Sequence, residues 1–250
     1  MLILYVDAPF AACRTFTAGW YRPTATFLTP SAAYGLVLNL AGVETRLPEE
    51  HNSHPGSVPT TLTKPNLPSL RLALGAAAER AIGQRREPIE EADRFPRVQT
   101  IYQQLHNYPV GSSGGERAAT TFGNKYNITP VRRELLVGLR AAIAVDGNSE
   151  METQIMLGLS GKLSGSRYGL PFIGDNSFLP DRIDILKAPI KIHWYERVTK
   201  NDVKIRPRTT RLTQWIDRAD LSKTRSDLYA PIDAPLFEVP VNAWTVVGDE

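Results

Sequence analysis

Cysteine is almost absent: Cys13 is the only one in 250 residues. One thiol excludes an internal disulfide and any cysteine-built zinc site, and it suits a reducing compartment such as the cytoplasm. Long apolar runs are missing too. None approaches the roughly 20 residues that a membrane-spanning helix needs, so no membrane partner is expected. The apolar start of the chain lacks the basic region of a signal peptide and runs on into Asp7 and Arg14. Histidine is scarce. His51 and His54 stand at H-x-x-H spacing in a stretch, Leu47–Pro68, that carries five prolines and no periodicity. No third ligand accompanies them, and zinc wants three or four organised ones. Gly158–Lys162 resembles a phosphate-binding loop only superficially. Met156 stands where its first glycine is required, and Leu163 where Ser or Thr must hold magnesium. These absences leave no implied metal or cofactor. A charge excess is also lacking: the net charge is +3, so a polyanionic partner would have to be held by local clusters.

The composition that remains is that of an ordinary globular chain, 42% hydrophobic and 22% charged, long enough for one large domain. Leu2–Val6 reads as a buried central strand, followed by an irregular stretch, Ala8–Thr29, with Arg14, Tyr21 and Arg22. Ser31 as N-cap and Gly42 as stop bracket a helix over Ala32–Val43. Its face Ala33, Leu36, Val37, Leu40 packs on a sheet, with Tyr34 pointing elsewhere. Leu70–Leu74 reads as a strand. Ile155, Met156, Leu159 and Leu163 predict a second packed helix over Glu152–Leu163, in which Gly158 and Gly161 mark close backbone approach. A glycine loop, Gly165–Phe178, carries Arg167, Asp175 and Asn176. Strands follow at Arg182–Leu186 and Ile190–Tyr195, the latter holding a packed His193, and Trp244–Val247 reads as an edge strand. The order is that of an α+β, ferredoxin-like βαββαβ plan with an enlarged, β-rich second half, a frame on which RNA-recognition domains present bases to a sheet. The main domain is set at 1–200 and a C-terminal extension packed on it at 201–250.

The stretch Val98–Leu136 interrupts this plan. Thr100, Tyr102, Gln104 and His106 alternate with Ile101, Gln103 and Leu105, which predicts a strand. A second arm starts at Ile128 and continues through Val131, Arg133, Leu135, Val137 and Leu139 at period two. Gly111, Gly114, Gly115 and Gly123 lie between, with serines and threonines that could bury no core. The hairpin base carries Lys125, Tyr126, Asn127, Arg132 and Arg133. From Arg94 to Arg140 seven basic residues face two acidic ones. Ile190–Arg211 repeats the imbalance, without the interleaved glycines. A polar tip over an aromatic and cationic base is what gripping a nucleic-acid strand needs.

Three segments together resemble one family. They are TATFLTPSAAYGLVLNLAG at Thr24–Gly42, QQLHNYPVG with GNKYNITPVRRE at Gln103–Glu134, and YGLPFIGDNSFLPDRI at Tyr168–Ile183. They are similar to CRISPR-associated protein family five, in its type I-B or Myxococcus-like branch. The resemblance implies a RAMP fold whose hairpin acts as a thumb over the guide RNA. It further implies a subunit of type I Cascade that holds the 5′ handle of the crRNA and caps the backbone filament. The implied partners are the crRNA handle, the backbone subunit, the large subunit and target DNA near the PAM-proximal end.

One branch of the family is itself the ribonuclease that makes the guide, using a tyrosine after the first helix and a Lys-His pair at the thumb base. Here Val43 and Glu44 follow the helix and the pair reads Lys125-Tyr126. That favours a binding role without catalysis, with metal-independent processing of precursor crRNA as the alternative. In that alternative His106, Tyr126 and Lys125, near the hairpin base, would be the acid–base set. A third alternative is a scaffold whose basic faces meet proteins only. The candidate RNA contacts are Arg14, Arg22, Tyr34, Gln104, His106, Lys125, Tyr126, Asn127, Arg132, Arg133, Arg167 and Asn176. Among them Arg133 shares its strand face with Leu135, so a buried ion pair competes with a phosphate contact.

Overall fold

The computed structural model describes residues 1–15, 21–47, 62–82, 85–106, 128–146, 149–165, 167, 169–199 and 206–248, and for 104–106 and 128–130 the backbone alone. In chain order the elements are β1 (Leu2–Ala11), β2 (Tyr21–Arg22), α1 (Pro30–Leu40), β3 (Leu70–Ala77), β4 (Glu79–Ile82), β5 (Arg85–Pro88), β6 (Arg97–His106) and β7 (Ile128–Asp146). After them come α2 (Ser149–Leu159), β8 (Arg182–Ile185), β9 (Ile192–Arg197), β10 (Thr210–Trp215), β11 (Arg225–Pro231) and β12 (Thr245–Val247). The fold is α+β, mostly one antiparallel sheet. Among the described residues ten strands join it, with the path β10-β11-β9-β3-β7-β1-β8, while β12 pairs with β3, and β2 and β6 pair with β7. The His51 and His54 pair lies outside the described residues.

β1 is central, as its apolar run predicts, but it is longer and extends to Ala11. It pairs antiparallel with β7 on one side and β8 on the other. Alternation sends Leu2, Leu4, Val6 and Ala8 into a core with α1 and α2, and Tyr5 into a second core on the opposite face, with Ala73, Ala142 and Trp194. The helices thus cover one face of the sheet. On the other face, Ala142 and Ala144 let Ile89 and Ile190 approach closely. A fully buried leucine such as Leu4 contributes about 1.5–3 kcal/mol of transfer free energy.

Helix α1 begins earlier than its sequence suggests. Pro30 takes the first turn and Thr29 caps it, its hydroxyl accepting from the Ala32 amide at 3.2 Å. Proline forces the preceding residue to be extended and is favoured at the first helical position, so Thr29 outcompetes Ser31 as cap. Gly42 ends the helix as expected, at φ +74°, its amide bonded to the Asn39 carbonyl at 3.0 Å. Tyr34 requires a correction. It is 4% exposed, its hydroxyl donates to the Pro68 carbonyl at 2.8 Å, and its ring meets Trp215 edge-on. It is a core residue.

In α2, Ile155 and Gly158 are buried, but Met156 is 45% exposed, against expectation. The helix stops at Leu159 because Gly161, at φ +69°, turns the chain. The close approach expected at Gly158 is real: a Cβ there would sit 1.7 Å from the Leu40 carbonyl oxygen. The two helices therefore touch through backbone.

β6 and β7 form the predicted hairpin arms, paired from Arg97↔Val137 to His106↔Ile128. The neighbours Ile101 and Tyr102 lie on opposite faces yet are 41% and 80% exposed, so β6 forms an edge of the sheet that is open to solvent there. Period two does not run the length of β7. Leu136 and Leu139, three apart, both enter the helix-side core. Between them Gly138 adopts φ +73°, a conformation that inverts the faces and that side-chain-bearing residues avoid. Opposite it lies Pro9, flanked by the pairs Ala8↔Leu139 and Phe10↔Val137, and Pro9 has no N–H to leave unpaired. At the same point β7 exchanges β3 for β6 as its partner on one edge.

Candidate nucleic-acid interface

The glycine loop and the hairpin root come together. Gly174 sits at φ +73°, and a Cβ there would lie 2.3 Å from the Ala12 carbonyl oxygen. Only glycine lets the loop press against the end of β1, where the Ala12 amide donates to Ile173 at 3.2 Å. This close seat delivers Asp175 to β7. One carboxylate oxygen, Oδ2, meets Arg133 at 2.7 Å and Arg14 at 2.8 Å, while Oδ1 accepts from the Ser177 amide at 3.0 Å. Arg133 is 6% exposed and Asp175 8%. Arg133 also donates to Gln103 Oε1 at 3.2 Å and lies over the Phe178 ring at 4.9 Å. Burial opposes the charge on Asp175, but the Ser177 hydrogen bonds and the Arg133 and Arg14 guanidiniums outweigh it and hold the carboxyl below its ordinary range.

One residue earlier on β7 the chemistry is different. Arg132 is exposed and its guanidinium lies 5.3 Å from the Tyr21 ring. β2 runs parallel to β7 there, Tyr21 against Arg132 and Arg22 against Arg133. Glu134 fastens the pair, accepting from the Tyr21 hydroxyl and from the Thr24 amide at 3.1 Å. That hydrogen bond to Glu134 pushes the Tyr21 pKa up. Arg218, which follows β10, adds positive charge. Partial burial of its guanidinium and the nearby Arg14 both push its pKa down.

The structure thus brings Arg14, Arg22, Arg132 and Arg133 together. Asn176 is exposed on the same glycine loop. Arg167 is elsewhere, donating to the Gly158 carbonyl at 2.6 Å and so tying down the end of α2. Lys125, Tyr126 and Asn127 lie outside the described residues, as do the side chains of Gln104 and His106. His193 is buried as expected, with Nδ1 at 3.0 Å from the Ile232 carbonyl. Sequence reasoning missed Asp175, Glu134 and Gln103 as organisers. The only signal for Asp175 was an acid after a glycine in a loop, opposite an arginine on an apolar strand face. Among the described residues, no three His, Cys, Asp or Glu side chains are grouped to hold a metal ion.

The exposed side of this cluster is cationic with an aromatic at its centre, and guanidiniums beside an aromatic ring can hold a phosphate and stack on a base. No family model and no curated protein matches the chain. A solved structure does share its fold. It is a chain of a structure entitled "CRISPR RNA-guided surveillance complex", which superposes with a TM-score of 0.52 at 14% identity over 94% of this chain and 90% of that one. At that identity the likeness establishes the fold. A second, entitled "Crystal structure of Cas protein", covers 94% of both chains at 10% identity with a TM-score of 0.45.

Proposed function

We propose that this chain is a non-catalytic RNA-binding subunit of a type I CRISPR Cascade complex, holding the 5′ handle of the guide RNA and capping the filament of backbone subunits. The observation that carries the reading is the shared fold, over 94% of the chain, with a chain of an RNA-guided surveillance complex. The motif resemblance at Thr24–Gly42, Gln103–Glu134 and Tyr168–Ile183 points the same way. The central strand order β3-β7-β1-β8, with α1 after β1 and α2 after β7, is in our reading the ferredoxin-like plan of RAMP proteins. The β6–β7 ribbon is its thumb. In this reading Arg132, Tyr21 and the Lys125–Asn127 segment touch the guide, and Arg133 serves by positioning the glycine loop. The partners are the crRNA handle, the backbone and large subunits, and target DNA beside them.

The test is co-purification of the chain with the products of neighbouring genes, followed by sequencing of the retained RNA. Repeat-derived RNA with a common 5′ end is expected. Recovery free of RNA would refute the reading. In a second arm, labelled repeat RNA is incubated with the chain in EDTA. Intact RNA is expected, whereas site-specific cuts would make the chain a metal-independent endoribonuclease instead.

A further inference from the structure

The tyrosines of the strands fall into two classes. Of the five on described strands, Tyr5, Tyr195 and Tyr229 are core residues, 1%, 3% and 2% exposed, whereas Tyr21 is 42% and Tyr102 80% exposed. The two exposed rings are not scattered. Tyr21 on β2 lies opposite Arg132 on β7, and Tyr102 on β6 lies opposite the same Arg132 from the other side. Directly opposed residues share a face, so three adjacent strands present tyrosine, arginine and tyrosine in one row. The row is asymmetric. The Arg132 guanidinium leans toward β2, 5.3 Å from the centre of the Tyr21 ring, and Glu134 holds the Tyr21 hydroxyl. Among the described residues, no hydrogen bond, ion pair or ring contact reaches Tyr102. β6 pairs with β7 alone there, so no further strand covers its ring from the outer edge. A strand tyrosine ordinarily packs on its cross-strand neighbours. The acidic residue of this patch, Glu134, has both oxygens engaged, by the Tyr21 hydroxyl and the Thr24 amide.

We propose that Tyr102 and Tyr21 are the two seats of a base-stacking platform, on which two unpaired nucleobases of a single strand lie with a phosphate between them at Arg132. That the strand is the guide RNA rests on the function proposed above. That its bases are unpaired rests on spacing. Neighbouring strands lie about 4.8 Å apart, which separates the two tyrosines by roughly 10 Å. Bases in a helix follow one another at about 3.4 Å. Rings so far apart do not belong to one continuous stack. They receive bases splayed out of it, which an unpaired strand offers. An aromatic face accepts any base, so the platform anchors the strand whatever its sequence. Strand addition by a partner protein at the β6 edge would use backbone groups and leave the guanidinium between two rings without a role.

The test is equilibrium binding to the full chain of a labelled oligouridylate of about 12 nucleotides, and of an abasic sugar-phosphate strand of the same length. Wild type, Tyr102→Ala, Tyr102→Phe, Tyr21→Leu and Arg132→Ala are compared at several salt concentrations. Tyr102→Ala is expected to weaken oligouridylate binding roughly tenfold with the salt slope unchanged, and to leave binding of the abasic strand as it was. Its melting temperature should hold, because the side chain is exposed. Tyr102→Phe keeps the ring and should bind as wild type does, whereas a loss there would overturn stacking in favour of a hydroxyl contact. Arg132→Ala should weaken both strands alike. Equal losses on the two strands in Tyr102→Ala would overturn the base as the ligand of that ring. If Tyr102→Ala binds oligouridylate as wild type does while Arg132→Ala or Tyr21→Leu is impaired, the platform is wrong and the RNA-binding function stands. Should that same Tyr102→Ala chain also fail to co-purify with the backbone subunit, the β6 edge belongs to a protein partner instead. If wild type binds neither strand, or none of the variants is impaired, platform and RNA-binding function both fall.

Discussion

Arg132 and Arg133 are adjacent on β7 and have the same side chain, yet they do opposite things. Arg132 is exposed, stacked on Tyr21, and its environment is mostly water. Arg133 is 6% exposed and shares Asp175 with Arg14. Water screens the first, so its contacts contribute about 0–1 kcal/mol to the fold. The second has lost its hydration and depends on its partner. Removing one member of a buried pair typically costs about 3–5 kcal/mol, because the survivor is left charged and dry. A run of basic residues in a sequence therefore says little about how many of them face a ligand. A strand shows alternate residues to opposite sides, and here one side is solvent and the other a glycine loop.

The comparison is broken most severely at Asp175. Asp175→Ala should leave Arg133 buried without its carboxylate and destabilise the chain by about 3–5 kcal/mol. For a chain of this size that is a fall of roughly 10 °C or more in melting temperature, read by circular dichroism. Arg133→Ala should do nearly as much. The double variant Arg133→Met with Asp175→Leu sharpens the point. It strands no buried charge, so it should recover most of the loss. A double variant as unstable as the singles would mean that the loop needs the ion pair itself, and not merely the absence of a lone charge.

Part of this contrast was legible. Period two placed Arg133 with Val131 and Leu135, and all three are buried. The hairpin arms, the central β1 and the close approach at Gly158 were legible for the same reason: periodicity and glycine placement are local signals. What was not legible depends on the chain folding back on itself. Asp175 reaches Arg133 across 42 residues (133 to 175) only because Gly174 seats the loop on Ala12. Tyr34 looked free at the start of a helix, but Trp215 and the Pro68 carbonyl come from distant segments to enclose it. The inversion at Gly138 was hidden because a glycine inside an alternating run does not announce its φ.

Gly174→Ala should have the next largest effect. It forces a non-glycine residue into φ +73° and puts its Cβ 2.3 Å from a backbone oxygen that cannot turn aside. The dihedral alone costs about 1–3 kcal/mol, and the collision must also move the loop. The expected outcome is lower stability together with a looser Asp175. The Asp175→Ala change should therefore cost less in the Gly174→Ala background than in wild type. Full additivity of the two would show that the loop does not depend on Gly174 to deliver the carboxylate.

Acid should narrow the difference between wild type and Asp175→Asn. The folded-state pKa of Asp175 is depressed, so the stability it contributes is complete above the unfolded carboxyl's pKa of about 3.9. It is lost as pH falls below that value and through the lower folded one. Denaturant melts at neutral pH should separate the two proteins clearly. Below about pH 4 the gap should close progressively. A gap that stays constant down to the onset of acid unfolding would mean that the neutral amide fails for its shape and not for its charge.

The smallest effect on stability should come from Arg132→Ala. Its side chain is solvated, and the ring contact with Tyr21 contributes roughly 0.5–1 kcal/mol at an exposed site. The melting temperature should move by only a few degrees. Binding should respond more strongly. If Arg132 meets a phosphate of the guide, its loss should reduce the slope of log K against log salt by about 0.7 for a single strand. Tyr21→Leu should behave in the converse way: stacking is worth roughly 1–3 kcal/mol per base, and losing it leaves the slope alone. The Glu134 carboxylate separates these roles further, because it holds the Tyr21 hydroxyl and touches the Thr24 amide. Glu134→Gln keeps both hydrogen bonds within reach and removes a negative charge next to Arg132, so it should tighten RNA binding at low salt. Weaker binding in Glu134→Gln would mean that the carboxylate's charge, and not only its hydrogen bonds, is needed to set Tyr21 in place. Unchanged binding in Arg132→Ala, Tyr21→Leu and Glu134→Gln together would remove the hairpin root from the interface.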